Sequence, residues 1–295
     1  MREAFRLMTR FLIRATFADY PDPVAKEVVD RDRRIGVGFM GFQNWLNLQG
    51  LAFGDYPQEQ RVRRRLFGAY ELIRSTARTY CFELRIPECV KVTCVAPTGN
   101  TSNMVGVSAG MHPIYAPYFR RRVRFNVNDP KQREQVERLA ASGLHVEDSA
   151  TEGERTKVVT FVCRDPVLDL LAPEDAHLAE GAHEVSLADF FRVQDALQED
   201  YADNAISVTV NFDADRHSEE DVLAALREHG PRLKGLTMLP LRHSYLQAPY
   251  EVLSLEEFLS LSGGGGQSSS VAGELSCPNN VCEVPQPLAQ FEENS

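Results

Sequence analysis

Two cysteines near the end of the sequence are the residues whose spacing most directly suggests chemistry. Cys277 and Cys282 have four residues between them and follow a stretch rich in glycine and serine at residues 263–270. Two such thiols can form a disulfide, and an accessible thiolate can also exchange with a disulfide elsewhere in a protein. The pair predicts a mobile redox arm that re-reduces catalytic thiols. A structural disulfide, half of a zinc site and two incidental cysteines remain open as alternatives.

A proline, a glycine and four small polar residues form a second candidate site. They follow a β-branched stretch at residues 90–96, which predicts a buried strand. Where a strand turns into a helix, backbone N–H groups are left unpaired, and the partial positive charge there attracts phosphate. No Gly-Lys-Ser/Thr follows, so the segment is not a P-loop. Spacing alone favours a phosphate site and a plain strand-to-helix turn equally. The candidate residues are Pro97, Thr98, Gly99, Asn100, Thr101 and Ser102.

Two further motifs are weaker indications of function. Gly36, Gly38 and Gly41 match Gly-x-Gly-x-x-Gly, but no strong strand precedes them and no acidic residue follows at the spacing of a ribose ligand. We interpret them as glycines that permit close helix packing. The basic run at residues 118–124 is interpreted as a solvated face or a partner for acidic side chains, because the whole chain carries a formal charge of −10.

Histidine and the remaining cysteines do not predict a metal site. His112 and His243 have no second ligand at suitable spacing. Cys81, Cys89 and Cys94 are similarly unpersuasive as zinc ligands. Cys94 lies inside a predicted strand and Cys163 at the end of another, so both are interpreted as residues that pack like small apolar side chains.

Composition restricts the class of protein. The 295 residues are 43% hydrophobic and 25% charged, which is ordinary for a globular protein with a sizeable core. The acidic charge argues against a protein that coats nucleic acid. No apolar stretch reaches the ~20 residues that span a bilayer, and the first residues lack the pattern of a secretory signal. We therefore expect a cytoplasmic protein without a membrane anchor, whose six cysteines are reduced or redox-active.

Alternating elements predict an α/β fold with a largely parallel sheet or barrel. We expect residues 1–260 to form the folded region and residues 261–295 to form a flexible tail. The predicted helices lie at residues 5–15, 25–32, 61–79, 131–142, 186–202 and 218–229. The predicted strands lie at residues 90–96, 157–163, 206–212 and 236–241.

Several stretches, taken in order, resemble a known family. Together with the paired cysteines they are similar to the C-terminal half of an adenosylcobalamin-dependent (class II) ribonucleoside-triphosphate reductase of the monomeric type. The stretches are residues 33–41 (RRIGVGFMG), 96–102 (APTGNTS), 106–113 (GVSAGMHP), 116–124 (APYFRRRVR), 207–213 (SVTVNFD) and 239–251 (LPLRHSYLQAPYE).

The resemblance implies a fold, a cofactor and roles for both candidate sites. The fold would be the second half of a ten-stranded α/β barrel, and the cofactor would be adenosylcobalamin. The loop at residues 97–102 would hold the phosphates of a ribonucleoside triphosphate. Cys277 and Cys282 would re-reduce the active-site disulfide and be recharged by a thioredoxin-type protein.

One departure from the family changes the expected function. The family uses a radical cysteine in an Asn-x-Cys-x-Glu pattern, and this sequence contains no such pattern. We therefore expect a split enzyme, with the radical cysteine on a separate N-terminal chain and no activity of this chain alone. The alternatives are a non-catalytic nucleotide-binding or regulatory remnant and a thiol-redox adaptor that uses only the paired cysteines.

Overall fold

The computed structural model describes residues 1–241 and 245–262. His243, Cys277 and Cys282 therefore lie outside the described residues. The helices are α1 (Arg2–Ala15), α2 (Pro23–Asp32), α3 (Phe42–Asn47), α4 (Gln60–Leu84), α5 (Thr101–Val105), α6 (Pro130–Ala141), α7 (Leu187–Asp200), α8 (Glu219–His229) and α9 (Leu255–Leu261). The strands are β1 (Tyr118–Asn126), β2 (His145–Ser149), β3 (Gly153–Arg164), β4 (Thr209–Phe212), β5 (Thr237–Pro240) and β6 (Tyr250–Val252).

The helices begin where local capping chemistry predicts. Ser186 caps α7 by accepting a hydrogen bond from the amide of Asp189, and Ser218 caps α8 in a reciprocal capping box with Asp221. Helix α4 is longer than predicted and continues to Leu84, where Arg85 ends it in a left-handed conformation. Each predicted helix is therefore confirmed to within a few residues, because its signals lie within the helix itself.

Four extended segments form a parallel layer, which we define as residues 35–37, 91–95, 204–212 and 237–240. The amide of Val37 donates to the carbonyl of Val92 at 2.8 Å, and the amide of Ser207 donates to that of Val95 at 2.9 Å. Strand β4 pairs in parallel with β5. The predicted strand at 90–96 is extended but pairs through isolated bridges rather than a continuous ladder. The order of these segments agrees with the predicted parallel α/β arrangement.

Glycines let two of these segments approach closely. A Cβ atom at Gly36 would lie 2.6 Å from Sγ of Cys94, and one at Gly38 would lie 2.8 Å from the Cys94 carbonyl oxygen. These glycines therefore permit close packing, as predicted, but their partner is an extended segment and not a helix. The predicted packing against a helix was therefore wrong. A single extended segment shows little periodicity in the sequence, so the true partner could not be recognised from it.

A second sheet is antiparallel, which the sequence did not predict. Its strand order is β2-β3-β1-β6, and β3 contains the predicted strand at 157–163. The basic run at 118–124 forms β1, so interpreting it as a solvated face was wrong in part. Side chains alternate along a strand, and Phe119, Arg121 and Val123 point to the buried face.

The two sheets have separate cores. Apolar residues of α4 and α7 cover the parallel layer, including Val62, Ile73, Phe190 and Leu197. Phe125 of β1 and Val136 of α6 belong to a smaller core beneath the antiparallel sheet. The expected α/β fold class is confirmed, whereas the half-barrel remains a prediction. Within residues 1–241 and 245–262, no helix has both the length and the apolar character needed to cross a bilayer.

Candidate functional site

A cavity lies between the parallel layer and the antiparallel sheet, and we call it the inter-sheet cavity. Its volume is ≈ 280 Å³. Gly99, Asn103, Thr209 and Asn211 line it from the side of the parallel layer, and the connection 106–115 contributes its floor. Four residues line it from the side of the antiparallel sheet: Phe119, Arg121, Asp165 and Tyr250. The cavity thus joins the predicted phosphate loop to a strand whose role the sequence did not predict.

The predicted phosphate loop has an unusual backbone conformation. Thr98 has φ of 50°, in the left-handed region that non-glycine residues rarely adopt. Its hydroxyl oxygen accepts a hydrogen bond from the amide of Gly110 at 2.7 Å, and its carbonyl accepts one from the amide of Ser102 at 2.9 Å. The loop is therefore held in a strained conformation by the chain that follows it.

Three successive amides of this loop are available to a ligand. The N–H groups of Gly99, Asn100 and Thr101 donate to no oxygen atom within the described part of the chain. Consecutive free amides beside a left-handed residue form a concavity that suits an anion. Helix α5 has only 5 residues, so its dipole adds little, and the individual amides must supply most of the attraction.

The hydroxyl groups of the loop are unequally accessible. Thr101 is exposed, whereas Ser102 is fully buried and its Oγ has no partner among the described residues. Oγ of Ser108 and Nδ2 of Asn44 are also buried without a partner in that part of the chain. Of these three residues, Ser108 lines the inter-sheet cavity, so its hydroxyl gives the cavity additional hydrogen-bonding capacity for a ligand or water. The phosphate-binding role of all six loop residues remains a prediction.

His112 braces the cavity and is not placed as a metal ligand. Its Nδ1 lies 2.9 Å from the carbonyl oxygen of Ala109, and its Nε2 accepts a hydrogen bond from the amide of Thr209 at 3.0 Å. Both ring nitrogens are occupied, and burial lowers the pKa of His112, so the neutral ring is favoured. In the described residues, no group of three His, Cys, Asp or Glu side chains could hold a metal ion.

Two charged residues of the cavity were not predicted from the sequence. Arg121 is only 8% exposed, and its Cζ lies 5.5 Å from the centre of the Tyr250 ring. Asp165 accepts a hydrogen bond from the amide of Val167 at 2.9 Å, and burial raises the pKa of Asp165 to about 6. Successive side chains of a strand point to opposite faces. If residues 118–124 had been recognised as a strand, this alternation would have indicated that Arg121 points away from its neighbouring arginines.

Of the four cysteines among the described residues, three are buried and Cys94 is half-buried, which agrees with the predicted packing of Cys94 and Cys163. Cys81 and Cys89 are buried, with their Sγ atoms 3.8 Å apart, and Cys163 is also buried. Burial, with the neighbouring Cys81, raises the pKa of Cys89 to about 12. Burial also raises the pKa of the half-buried Cys94. Cys89 and Cys94 therefore lack the lowered pKa of a reactive cysteine.

Comparisons with known proteins identify relatives along nearly the whole chain. The chain is 38% identical over 286 residues to a protein of Mycobacterium phage D29 that is provisionally named an adenosylcobalamin-dependent ribonucleoside-triphosphate reductase. It is 32% identical over 278 residues to the adenosylcobalamin-dependent ribonucleoside-triphosphate reductase of Lacticaseibacillus paracasei. These matches cover 95% and 88% of this chain, but 41% and 35% of the relatives. The chain thus spans about two fifths or less of the curated relatives it matches. No family model matches it.

Solved structures give the same relationship. A crystal structure of a B12-dependent (class II) ribonucleotide reductase superposes with a TM-score of 0.74 and 28% identity, over 88% of this chain and 37% of that one. The class Id ribonucleotide reductase alpha subunit of Actinobacillus ureae shares the fold alone, with a TM-score of 0.53 and 15% identity. The resemblance inferred from the sequence is therefore confirmed: over nearly its whole length, this chain is homologous to part of the adenosylcobalamin-dependent ribonucleoside-triphosphate reductases.

Proposed function

We propose that this chain is the C-terminal part of a ribonucleotide reductase that converts ribonucleoside triphosphates to deoxyribonucleotides. The observation that carries the proposal is the 38% identity over 95% of the chain to a relative of which the chain covers 41%. In this proposal the chain contributes substrate-phosphate binding and thiol re-reduction. A separate N-terminal chain contributes the radical cysteine.

The loop at residues 97–102 is proposed to hold the substrate phosphates. The free amides of Gly99, Asn100 and Thr101 support this role, since phosphate oxygens accept hydrogen bonds from such groups. The loop opens onto the inter-sheet cavity through Gly99, at which an added Cβ atom would meet no other atom within 4 Å. A substrate held here by its phosphates would be oriented by the loop before any chemical step.

Open sheet edges support assembly with a partner chain. On the outer side of segment 35–37, the amides of Gly36 and Gly38 donate to no described residue. At the other edge of the parallel layer, β5 is mostly exposed, and Leu239 is 51% exposed. Unpaired edges of this kind attract further strands. We propose that strands of the N-terminal chain cover them and extend the layer toward a barrel.

Cys277 and Cys282 lie outside the described residues, and their proposed role is to regenerate the enzyme. Their thiols would reduce an active-site disulfide by thiol–disulfide exchange and become a disulfide themselves. A thioredoxin-type protein would then restore the two thiols. Cys89 and Cys94 do not suit this task, because burial raises the pKa of both thiols.

Adenosylcobalamin is the cofactor that we propose for the assembled enzyme, where it supplies the radical. The inter-sheet cavity does not fit it. At ≈ 280 Å³ the cavity is slightly smaller than the usual pocket for a drug-sized ligand, about 300–1,000 Å³, and a corrin is larger than such ligands. We therefore assign no residue of this chain to the cofactor and propose the cavity for substrate phosphates alone.

Reconstitution tests the proposed function. The chain is purified with and without a candidate N-terminal partner and supplied with a ribonucleoside triphosphate, adenosylcobalamin and dithiothreitol. We expect a 1:1 complex that forms deoxynucleotide, and no product from either chain alone. A verified complex that forms no product would contradict the reductase and favour a non-catalytic nucleotide-binding role.

The redox arm has its own test in the same complex. Replacing Cys277→Ser should abolish multiple turnovers driven by a thioredoxin-type reductant while sparing a single turnover of the pre-reduced enzyme. Equal loss of both would contradict a shuttle role for the pair.

A further inference from the structure

One arginine of a basic run is separated from its neighbours by strand geometry. Successive side chains of β1 point to opposite faces, so Arg120 and Arg122 lie on one face and Arg121 on the other. Both carboxylate oxygens of Glu251 pair with the outer arginines, at 2.7 Å for Arg120 and 2.6 Å for Arg122. Arg121, on the opposite face, lines the inter-sheet cavity.

The phosphate loop has no cation of its own. No lysine or arginine occurs between Lys91 and Arg120 in the sequence, so the loop and the floor of the cavity carry no permanent positive charge. His112 also lines the cavity, but its neutral ring is held by two backbone contacts. Among the described residues that line the cavity, Arg121 is the one lysine or arginine. Amides alone leave most of the charge of a polyphosphate uncompensated, whereas a guanidinium binds it with charge-assisted hydrogen bonds.

The position of Arg121 is set by its surroundings. The strand pairs it with Phe161 on one side and with Tyr250 on the other, and its guanidinium lies near the Tyr250 ring. A stacked, largely buried guanidinium loses little additional freedom when it binds a ligand. Such a residue is prepared for an anion that enters the cavity.

We propose that Arg121 binds the polyphosphate chain of the ribonucleoside triphosphate that is held at residues 97–102. This inference rests on the proposed function and names a binding residue beyond the loop. It assigns to one arginine of the basic run a role that the outer arginines do not share. Selectivity for a triphosphate over an uncharged nucleoside would follow from this charge.

Calorimetric titration of the full chain with inorganic tripolyphosphate tests the inference. We expect Arg121→Gln to weaken binding at least tenfold, since it removes a charge-assisted contact. Arg121→Lys should weaken it about fivefold, because an ammonium does not replace a stacked, forked guanidinium. The matched control, Arg120→Gln, should change the dissociation constant less than twofold. Thermal unfolding verifies that each variant is folded. One folded variant of Arg121, with either glutamine or lysine, is enough to test whether Arg121 binds tripolyphosphate.

The loop variant Gly99→Val separates the two proposals. A Cβ atom at Gly99 meets nothing within 4 Å, so the substitution is compatible with the fold but places a side chain at the rim of the cavity. If Gly99→Val weakens binding and the folded Arg121 variants bind within twofold of the original chain, the inference about Arg121 is overturned and the phosphate loop stands. If the original chain does not bind tripolyphosphate, both fail.

Discussion

The parallel layer and the antiparallel sheet differ in how completely they are paired. The antiparallel sheet has a continuous ladder between β1 and β3 and its own small core with α6. The parallel layer is joined partly by isolated bridges, and side chains complete its pairing. For example, Asn204 Nδ2 donates to the carbonyls of Ile35 and Thr93. The antiparallel sheet is thus regularly paired, whereas the parallel layer leaves the amides of Gly36 and Gly38 without an acceptor among the described residues.

This difference explains where the candidate site lies. The parallel layer supplies the loop at residues 97–102, in which the amides of Gly99, Asn100 and Thr101 donate to no described residue because no regular ladder or long helix uses them. The antiparallel sheet supplies a rigid strand that fixes Arg121 opposite that loop. Backbone donors of a loop that is held by the chain following it therefore face a charged group in a firmly paired strand, which suits recognition of an anionic substrate.

The largest effect is expected where α4 and α7 are tied together over the parallel layer. Asp200 accepts a 2.6 Å hydrogen bond from the Tyr56 hydroxyl and binds Arg63 through Nε and Nη2 at 2.8 and 2.9 Å. Removing the carboxylate leaves the buried Tyr56 hydroxyl without this acceptor and takes two hydrogen bonds from Arg63. We expect Asp200→Ala to lower the free energy of unfolding by about 4 kcal/mol, as for other broken buried ion pairs, measured by urea denaturation.

The control for this prediction is the neighbouring Glu199→Ala. The Glu199 side chain is 76% exposed and also contacts Arg63, at 3.1 Å. Its loss should change the free energy of unfolding by about 0.5 kcal/mol or less. Similar effects of the two substitutions would contradict the structural role of Asp200.

A second prediction compares glycines of the two regions. Gly110, beside the phosphate loop, has φ of +52°, and an added Cβ would lie 2.5 Å from the carbonyl oxygen of Ala96. Gly143, before β2, has φ of +89° but open space around it. Gly110→Ala combines backbone strain with a clash and should lower the free energy of unfolding by about 3 kcal/mol. Gly143→Ala carries only the strain and should cost about 1 kcal/mol. Equal losses in denaturation experiments would show that the loop is not tightly packed.

The third prediction concerns the pH dependence that the antiparallel side of the cavity contributes. Burial raises the pKa of Asp165 to about 6, so ionisation of Asp165 disfavours the folded state. The stabilising contribution of protonated Asp165 is therefore complete below about pH 4 and is lost as the pH rises through about 6. Asparagine removes this ionisation and keeps an oxygen for the amide of Val167. We expect Asp165→Asn to be more stable than the original chain by about 3 kcal/mol at pH 8 and to show no such gain near pH 4.

Asp169→Asn is the control for this pH profile. The Asp169 side chain is 63% exposed and pairs with Arg164, so its replacement should bring no gain at pH 8. A constant difference between Asp165→Asn and the original chain across the pH range would contradict the assigned ionisation.

Locally encoded features were predicted well, and those that depend on distant partners were not. The starts of α7 and α8 follow from Ser186 and Ser218, whose cap partners lie three residues away. By contrast, β1 pairs with β3 and β6, which are distant in sequence, so the run at 118–124 was judged by its charge alone. The partner of Gly36 and Gly38 was missed for the same reason. The loop at 97–102 was located by its residue types, but Arg121 and Asp165 could be assigned to the cavity only once the sheets were placed.

Amide hydrogen exchange with and without a ribonucleoside triphosphate tests the central claim most directly. If the inter-sheet cavity holds the substrate phosphates, exchange should slow at residues 97–112 and in β1, with little change in α6 and β2. Unchanged exchange at 97–112 under conditions in which the nucleotide binds would contradict the claim. Protection confined to α6 and β2 would do the same.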